Sequence, residues 1–275
     1  MNWPRAKTWL IVLFLCVNAF LAYYITTDNI AASYTDSKTI EQTAAMLHRN
    51  GITVDIADIP AFLPNLNPIE MENALTDNDA LALAVLGSGY VKLTDQSYEK
   101  GSKRLFMYGD MIRYENTGTA DIISGLTADN AADTVRSLFG YYGFDTQAAE
   151  SKRTADNNDV YTVVLTQRVD GYPVFDSSFE VTLSKSGISG FVGSWFVPSE
   201  EGGMFSSPDN VISAASVLVD FITDPLRVQN GSNAISNISI GYTTDKKDAY
   251  HSAATAMPVW CVNTTDGMQY YYDAR

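Results

Sequence analysis

The sequence predicts an α+β fold in which amphipathic helices pack on antiparallel sheets. Helical and strand patterns follow one another in the order helix-then-strands, repeated along the chain, and tight-turn signals such as Asp170-Gly171 and Asp266-Gly267 adjoin the strands. This order favours helices layered on an antiparallel sheet over the regular βαβ alternation of a parallel fold. The repeat is one of pattern and not of sequence identity.

Three segments have the spacing of amphipathic helices: residues 37–50, 128–142 and 208–222. The third is predicted to begin with Ser207 as its N-cap, because a proline and an aspartate follow directly. A shorter apolar run, residues 80–86, is compatible with a helix or a strand.

The strand predictions rest on period-two alternation and on turn residues at the ends of each run. A hairpin signal also separates the last two predicted strands. The predicted strands cover residues 90–93, 105–108, 111–114, 160–169, 179–183, 188–197, 258–262 and 268–272.

The composition excludes several classes of protein. The 275 residues include 18 Lys+Arg against 32 Asp+Glu, a formal net charge of −14, whereas a nucleic-acid-binding protein needs basic residues to displace phosphate counterions. The content of 46% hydrophobic and 12% aromatic residues is enough to build a core, so intrinsic disorder is excluded. Two Cys and two His exclude a zinc-finger or multi-cysteine framework.

One uncharged stretch, residues 9–25, is predicted to be a single transmembrane helix. Arg5 and Lys7 precede it and Asp28 is the first charge after it, so the positive-inside rule predicts a cytoplasmic N-terminus and an extracellular remainder. A cleaved signal peptide is the alternative, although the run is long for a signal core and lacks an Ala-x-Ala site. The candidate anchor and helix-contact residues are Trp9, Phe14, Asn18, Phe20 and Tyr23.

The predicted division of the chain follows from these patterns. It comprises a cytoplasmic tail (1–8), the transmembrane anchor (9–25), a linker (26–36), an N-terminal α+β unit (37–122) and a C-terminal α+β region (123–275), which is alternatively divided into two units, 123–198 and 206–275.

No constellation of residues predicts catalysis, a metal site or a cofactor, and the protein is predicted not to be an enzyme. His48 lies near the end of a predicted helix and His251 in a polar stretch, where a surface role is typical. Cys261 lies in an apolar strand and is predicted to be a buried thiol. The acidic segments 77–79 and 156–159 lack the ligand spacing of a calcium loop and are predicted to form turns.

Three short motifs stand near the N-terminus: Met1-Asn2-Trp3, Arg5-Ala6-Lys7-Thr8 and Phe14-Leu15-Cys16-Val17-Asn18-Ala19-Phe20-Leu21. They resemble the start of YycI-family proteins, which typically begin Met-Asp-Trp, continue with a short basic Lys-Thr stretch and have Phe-Leu-x-x-Asn-x-Phe-Leu in the membrane helix. Looser resemblance lies in residues 169–175, 183–195, 258–262, 266–267 and 270–274. In the stretch 258–262, Cys261 stands where the family usually has a basic residue after Pro-x-Trp. The candidate structural motif residues in these stretches are Gly171, Pro173, Trp195, Pro258 and Trp260.

The resemblance implies a regulatory protein. YycI-like proteins, together with a YycH-like protein, associate with the WalK (YycG) sensor histidine kinase, a two-component system of Gram-positive bacteria, and influence cell-wall metabolism. Their extracytoplasmic part is similar to repeated PepSY modules, each a helix on an antiparallel sheet. The implied location is the cell membrane, with one spanning helix, and the implied partners include no nucleic acid.

Two other functions remain as alternatives. One is an anchored extracytoplasmic protease inhibitor or ligand-binding module of PepSY type, and the other is a wall hydrolase that uses paired carboxylates.

Overall fold

A computed structural model of the chain describes residues 13–19, 34–74, 77–118, 122–157, 159–199, 211–245 and 253–275. The described residues form a mixed α+β structure dominated by strands. Residues 13–19 are helical (α1), and they carry exposed apolar side chains. Within the described ranges, no helix is both long enough and apolar enough to cross a membrane.

The helices and strands have the following bounds. Five helices follow α1: α2 (Ser37–Arg49), α3 (Asn78–Leu86), α4 (Ala131–Tyr141), α5 (Ala214–Thr223) and α6 (Pro225–Asn230). The strands are β1 (Ile69–Asn73), β2 (Val91–Thr94), β3 (Ser97–Lys100), β4 (Lys103–Tyr108), β5 (Met111–Asn116), β6 (Glu150–Asn157), β7 (Val160–Val169), β8 (Tyr172–Ser184), β9 (Gly187–Gly193), β10 (Phe196–Pro198), β11 (Ile235–Asp245), β12 (Ala253–Thr264) and β13 (Gln269–Asp273).

The chain divides into two compact units, each assembled from separate stretches of sequence. Of the described residues, unit 1 comprises those up to 66 together with 211–239 and 260–275, and unit 2 comprises 67–199, 240–245 and 253–259. The predicted boundaries assume contiguous stretches, and they remain a prediction.

Unit 2 is built on one sheet with the strand order β10-β1-β12-β11-β8-β9-β5-β4-β3-β2, and β7 and β6 continue from β8. Four consecutive hairpin-connected strands, β2 to β5, form an antiparallel meander at one end of this order. The pairing of β11 with β8 is parallel, with Tyr242 opposite Val174. The antiparallel sheet that the sequence predicts is therefore interrupted by one parallel pairing, because β11 reaches β8 after a long crossover and not through a hairpin.

The core of unit 2 lies between the sheet and the helices α3 and α4. Phe139 of α4 lies 4.9 Å from Phe179 of β8 and 5.1 Å from Phe191 of β9, measured between ring centroids. Trp195 stacks on Phe179 at 5.7 Å with an interplanar angle of 11°. These four side chains are buried, so the apolar stripe of α4 and the inward positions of two strands share one aromatic cluster.

The close pairing of β8 with β9 depends on a glycine. A Cβ at Gly193 would lie 1.9 Å from the backbone oxygen of Ser178, a distance that no side chain tolerates. The residue opposite Gly193 is Phe179, a member of the aromatic cluster. Because Gly193 has no side chain, the backbones of β8 and β9 can approach closely here, and this close approach places Phe179 in the core.

Unit 1 has its own core, in which α2 packs against α5 and β13 pairs with β12. Leu47 of α2 and Phe221 of α5 are fully buried. A chain of hydrogen bonds from the buried Tyr270 and Ser232 to the exposed Asp266 contributes here as well: the Tyr270 hydroxyl donates to Ser232 Oγ at 2.8 Å, and Ser232 Oγ donates to Asp266 at 2.6 Å.

The helix predicted over 208–222 begins later than expected. Residues 211–213 are not helical, and Ser213 Oγ caps α5 by accepting from Ser216 N at 3.1 Å. The Ile212 backbone instead donates to Ala274 O at 2.9 Å and accepts from the Trp260 indole. The predicted N-cap, Ser207, lies outside the described residues.

Most other element predictions are confirmed. The helices predicted over 37–50 and 128–142 are found as α2 and α4, the latter beginning only at Ala131, and the ambiguous segment 80–86 is helical, since α3 covers it. The predicted strand at 160–169 has the bounds of β7, whereas the strand predicted over 188–197 is interrupted between β9 and β10. Strands β1, β3, β6 and β11 were not predicted.

Candidate contact surface

The two faces of the β2–β5 meander have different environments. Strand register places Leu105 opposite Tyr114 and Met107 opposite Ile112 on the inner face, and all four side chains are buried. The alternate residues point to the other face, because successive side chains of a strand lie on opposite sides. We call this second face the outer face.

The outer face carries large apolar side chains that are exposed. Tyr108 and Met111 are paired across β4 and β5 and are 53% and 49% exposed. The Phe106 ring is nearly parallel to that of Tyr108, with centroids 6.1 Å apart. Val192 of β9 is 41% exposed and is paired with Arg113 of β5. An antiparallel sheet with one solvated face normally presents polar residues there, so a contiguous apolar patch on this face indicates a contact surface.

Charged side chains of both signs lie beside this patch. Arg104 Nε lies 3.0 Å from Glu99 Oε2, and Arg113 Nε donates to Glu115 Oε1 at 2.7 Å. Such exposed ion pairs contribute little to stability. Around an apolar centre they form the polar rim that gives an interface its specificity. The outer face is locally balanced in charge, in a chain whose formal net charge is −14.

The outermost strand of the meander, β2, is fixed to α3 by a polar cluster. The Tyr98 hydroxyl donates to Asp79 Oδ1 at 2.7 Å, and Lys92 Nζ lies 3.4 Å from the same oxygen. The hydrogen bond from Tyr98 lowers the pKa of Asp79, and burial is the main cause that raises the pKa of Tyr98. Val91 and Leu93 of β2 are exposed, so the edge strand of the meander presents two apolar side chains to solvent.

The structure places Gly171 and Pro173 in the hairpin that joins β7 to β8. Gly171 has φ 85° and follows Asp170 at φ 50°, a turn conformation that glycine adopts without strain. Its carbonyl accepts from Arg168 Nε at 3.0 Å. Pro173 is paired with Arg168 across the hairpin. Both motif residues therefore shape a turn.

The other three motif residues lie in cores. Trp195 is fully buried in unit 2, and its indole N–H has no hydrogen-bond acceptor. Trp260 is fully buried in unit 1, and its indole donates to Ile212 O at 2.9 Å. Pro258 is a buried residue of β12. Their positions are those of packing residues.

Two of the five candidate anchor residues fall within the described chain. Phe14 is 69% exposed, and Asn18 Nδ2 donates to the Phe14 carbonyl at 2.8 Å, one turn earlier in α1. Trp9, Phe20 and Tyr23 lie outside the described residues. The anchor over 9–25 therefore stays a prediction.

Residues considered for chemistry occupy structural positions. Cys261 is buried, as predicted, and burial is the main cause that raises the pKa of its thiol to about 11, far above the range in which a thiolate forms readily. Asp77 Oδ1 accepts from Asp79 N and Ala80 N at 3.0 Å and so caps α3. Among the residues that the structure describes, no three His, Cys, Asp or Glu side chains are grouped as metal ligands would be. His251 lies outside these residues.

The outer face was predicted as strands but not as a site. The signal was available in Leu105-Phe106-Met107-Tyr108, a continuous apolar run in a hairpin strand. A strand buried on one face alternates apolar and polar residues, whereas an unbroken run makes both faces apolar.

Comparisons with known proteins give no family assignment. No family model matches the chain, and no curated protein sequence matches it. Among solved structures, it is similar to an uncharacterized protein from Eubacterium rectale (TM-score 0.48, 14% identity, 79% of this chain and 86% of that one).

Two further similar structures have descriptive names. They are YycH from Bacillus subtilis (TM-score 0.48, 12% identity, 76% of this chain and 53% of that one) and the C-terminal domain of Bacillus megaterium YpeB (TM-score 0.37, 9% identity, 74% and 94%). TM-scores below 0.5 are too low to assign a family or a function.

Proposed function

We propose that the protein is a membrane-anchored extracytoplasmic regulator that modulates a sensor histidine kinase of the WalK (YycG) type by direct contact, together with a YycH-like protein. The observation that carries the proposal is the apolar patch on the outer face, formed by the exposed Tyr108 and Met111 and the half-buried Phe106. A patch of paired aromatic and Met side chains with a charged rim has the composition of a protein interface. The kinase as partner comes from the N-terminal resemblance.

The N-terminal helix supports the membrane part of this proposal. Leu13, Phe14 and Leu15 of α1 are each more than 60% exposed, and apolar side chains exposed all around a helix suit a lipid environment. The Asn18 side-chain amide donates one hydrogen to the Phe14 carbonyl. A side-chain amide has a second N–H hydrogen and an acceptor oxygen, which can bond elsewhere. Asn18 therefore has groups for a contact with a kinase helix.

Regulation by contact requires a difference in affinity. The regulator shifts the kinase only if it binds the two signalling states with different affinities. The protein performs no catalysis in this proposal.

Photo-crosslinking from the full-length protein in its membrane tests the partner. A photoreactive phenylalanine replaces Tyr108 on the outer face or Tyr141 on α4, which is 80% exposed. The Tyr108 probe is expected to capture the histidine kinase, and the Tyr141 probe is the control for non-specific capture. If the Tyr108 probe does not capture the kinase, and further probes placed at Phe106 and Met111 do not either, the outer-face assignment is contradicted.

A charge introduced into the patch sharpens the same test. Tyr108→Glu is expected to weaken co-purification of the kinase by about tenfold or more, because it buries a carboxylate at an apolar contact. Tyr141→Glu adds the same charge on α4 and is expected to leave co-purification unchanged.

The membrane contact is tested separately by Asn18→Leu. This variant is expected to reduce in-membrane association with the kinase while membrane retention is unchanged, and unchanged co-purification would exclude a role of Asn18 in helix contact.

Zymography of the full-length protein on cell-wall material separates the regulator from the wall hydrolase, since the proposal expects no cleavage.

A further inference from the structure

Unit 1 carries two exposed aromatic side chains that lie against each other, Tyr34 and Phe62. Tyr34 is 55% exposed and Phe62 is 48% exposed, and their ring centroids lie 5.5 Å apart. The two residues face each other in an isolated antiparallel bridge, beside which Thr35 N donates to Ala61 O at 2.7 Å. Opposed side chains of an antiparallel pair lie on the same side of the backbone, so the backbone holds both rings on one surface. We call these two residues the aromatic pair.

The chemistry of the aromatic pair is that of a membrane–water interface. An aromatic ring is apolar across its faces and the tyrosine hydroxyl adds a polar tip, so such side chains collect where one end is in lipid and the other in water. The same two stretches of chain bury Ile40 and Ile59 in unit 1, whereas Tyr34 and Phe62 are exposed side by side. Adjacent exposed apolar side chains indicate a contact surface, unlike single ones.

The place of the aromatic pair in the chain brings it close to the predicted anchor. Tyr34 stands nine residues after Ile25, the last residue of the predicted transmembrane helix. Even when fully extended, nine residues span only roughly 30 Å, so Tyr34 lies within that distance of the membrane. A tether this short keeps the local concentration of the bilayer surface high, and a small apolar area is then enough for a stable contact.

Charged groups near the aromatic pair select the kind of surface. The described carboxylates nearest to the two rings in the sequence belong to Asp36 and Asp58, and both residues are exposed. They disfavour anionic headgroups, and they also disfavour a second copy of this chain, whose formal net charge is −14. A zwitterionic headgroup has no net charge and meets no such repulsion.

We propose that the aromatic pair inserts among zwitterionic headgroups of the bilayer that holds the anchor, and so fixes the orientation of unit 1 on the membrane. This inference rests on the proposed function, because it needs the membrane anchor. It adds a second membrane contact, made by a folded part of the protein, to the single helix that the sequence predicts. Such a contact turns one side of unit 1 to the lipid and leaves its other sides for protein partners.

Lipid capture by photo-crosslinking tests this contact. A photoreactive phenylalanine replaces Phe62 in the full-length protein, which is reconstituted in phosphatidylcholine vesicles, and mass spectrometry identifies what the probe captures. The Phe62 probe is expected to gain the mass of one phospholipid. The same probe at Phe14, inside the predicted anchor, is the positive control and is also expected to capture lipid. Replacing phosphatidylcholine by phosphatidylglycerol is expected to lower the yield at Phe62 severalfold and to leave the yield at Phe14 unchanged.

Two variants complete the experiment. Tyr34→Glu puts a carboxylate beside the Phe62 probe and is expected to lower lipid capture about tenfold. Tyr271→Glu adds the same charge at another exposed tyrosine of unit 1 and is the matched control, expected to leave capture unchanged.

Three results would overturn the inference while the anchor stands. The first is a Phe62 probe that captures a second copy or nothing while the Phe14 probe captures lipid. The second is equal capture in the two variants, and the third is a yield at Phe62 that is as high with phosphatidylglycerol as with phosphatidylcholine. The comparison of headgroups needs no variant and so does not depend on the folding of Tyr34→Glu. A missing lipid adduct at Phe14 would instead contradict the anchor and with it the proposed function.

Discussion

The cores of the two units are stabilised in different ways. In unit 2, Phe139, Phe179, Phe191 and Trp195 pack ring against ring. In unit 1, a chain of hydrogen bonds runs from Tyr270 through Ser232 to Asp266. Apolar packing is non-directional and depends on filled volume, whereas a polar network depends on each donor meeting its acceptor. The two units should therefore respond to different kinds of substitution.

The polar network of unit 1 continues to its helices. Asp224 Oδ1 caps α6 by accepting from Leu226 N at 2.7 Å, and its other carboxylate oxygen accepts from the Tyr272 hydroxyl at 2.6 Å. Arg227 donates to Asn233 Oδ1 at 2.9 Å, and its guanidinium lies 5.7 Å from the centre of the Phe221 ring. Asp224 and Arg227 therefore each contact at least two other residues of unit 1.

Phe139→Ala is expected to have the largest effect. The ring is fully buried in the unit 2 cluster, and its removal costs about 3–5 kcal/mol through lost burial and a residual cavity. Chemical denaturation followed by tryptophan fluorescence measures the change, and Tyr141→Ala on the exposed side of the same helix is the control. A loss below about 1 kcal/mol would show that the cluster collapses around the gap.

Asp224→Ala is expected to have an intermediate effect on unit 1. It removes the N-cap of α6, worth about 1 kcal/mol, and also the acceptor of Tyr272. Tyr272→Phe removes the other partner of that hydrogen bond, so the double variant is expected to cost less than the sum of the two single variants. Strict additivity of the three free energies of unfolding would show that the two groups are not coupled.

The two buried tryptophans offer a smaller, matched comparison. Trp195→Phe removes an indole N–H that has no acceptor, whereas Trp260→Phe removes one that donates to Ile212 O. Both changes remove similar volume, so Trp260→Phe is expected to be more destabilising by about 1 kcal/mol, the net value of one hydrogen bond. Equal losses would indicate that the Ile212 carbonyl finds water instead.

The smallest expected effect is a dependence of unit 1 on acid pH. Hydrogen bonds from Ser232 and Thr264 lower the pKa of Asp266. Burial alone would raise the pKa of Asp224, but hydrogen bonds from Tyr272 and from two backbone N–H groups outweigh it and lower that pKa. Both carboxylates therefore stabilise the fold fully above their unfolded pKa of ~3.9, and this contribution is lost as the pH falls through the lower folded values.

Thermal unfolding between neutral and strongly acid pH measures this dependence. The melting temperature of the unmodified protein is expected to fall as the pH drops below ~3.9. The fall should be shallower when both aspartates are replaced by Asn, which does not titrate. An unchanged slope in that double variant would show that other carboxylates dominate.

The sequence pattern is sufficient to predict the bounds of an element that buries only one face. β7 alternates buried and partly exposed residues along its length, and this is why its bounds could be predicted from period two. The strand β6 has the sequence Glu150-Ser151-Lys152-Arg153-Thr154-Ala155-Asp156-Asn157, which carries no apolar alternation. It is a strand because its backbone pairs with β7, and such pairing cannot be predicted from residue types.

Long-range partners explain the remaining differences. Val211 and Ile212 fit helical spacing, yet Ile212 is not helical, because its backbone N–H donates to Ala274 O and its carbonyl accepts from the Trp260 indole. The parallel contact of Tyr242 with Val174 likewise joins residues far apart in the chain. The apolar outer face could have been predicted from Phe106 and Tyr108, but the aromatic pair could not, because its two rings come together only through a backbone bridge between separate stretches of the chain.

Unit 1 is assembled from residues up to 66, 211–239 and 260–275, and this has a consequence during synthesis. At ~5–20 residues per second, the stretch that ends at residue 66 waits roughly 10–40 s for the last stretch to be made. During that time Leu47 and the apolar side of α2 have no finished core to enter. An incomplete chain that lacks residues 260–275 therefore lacks one of the three stretches from which the core of unit 1 is assembled.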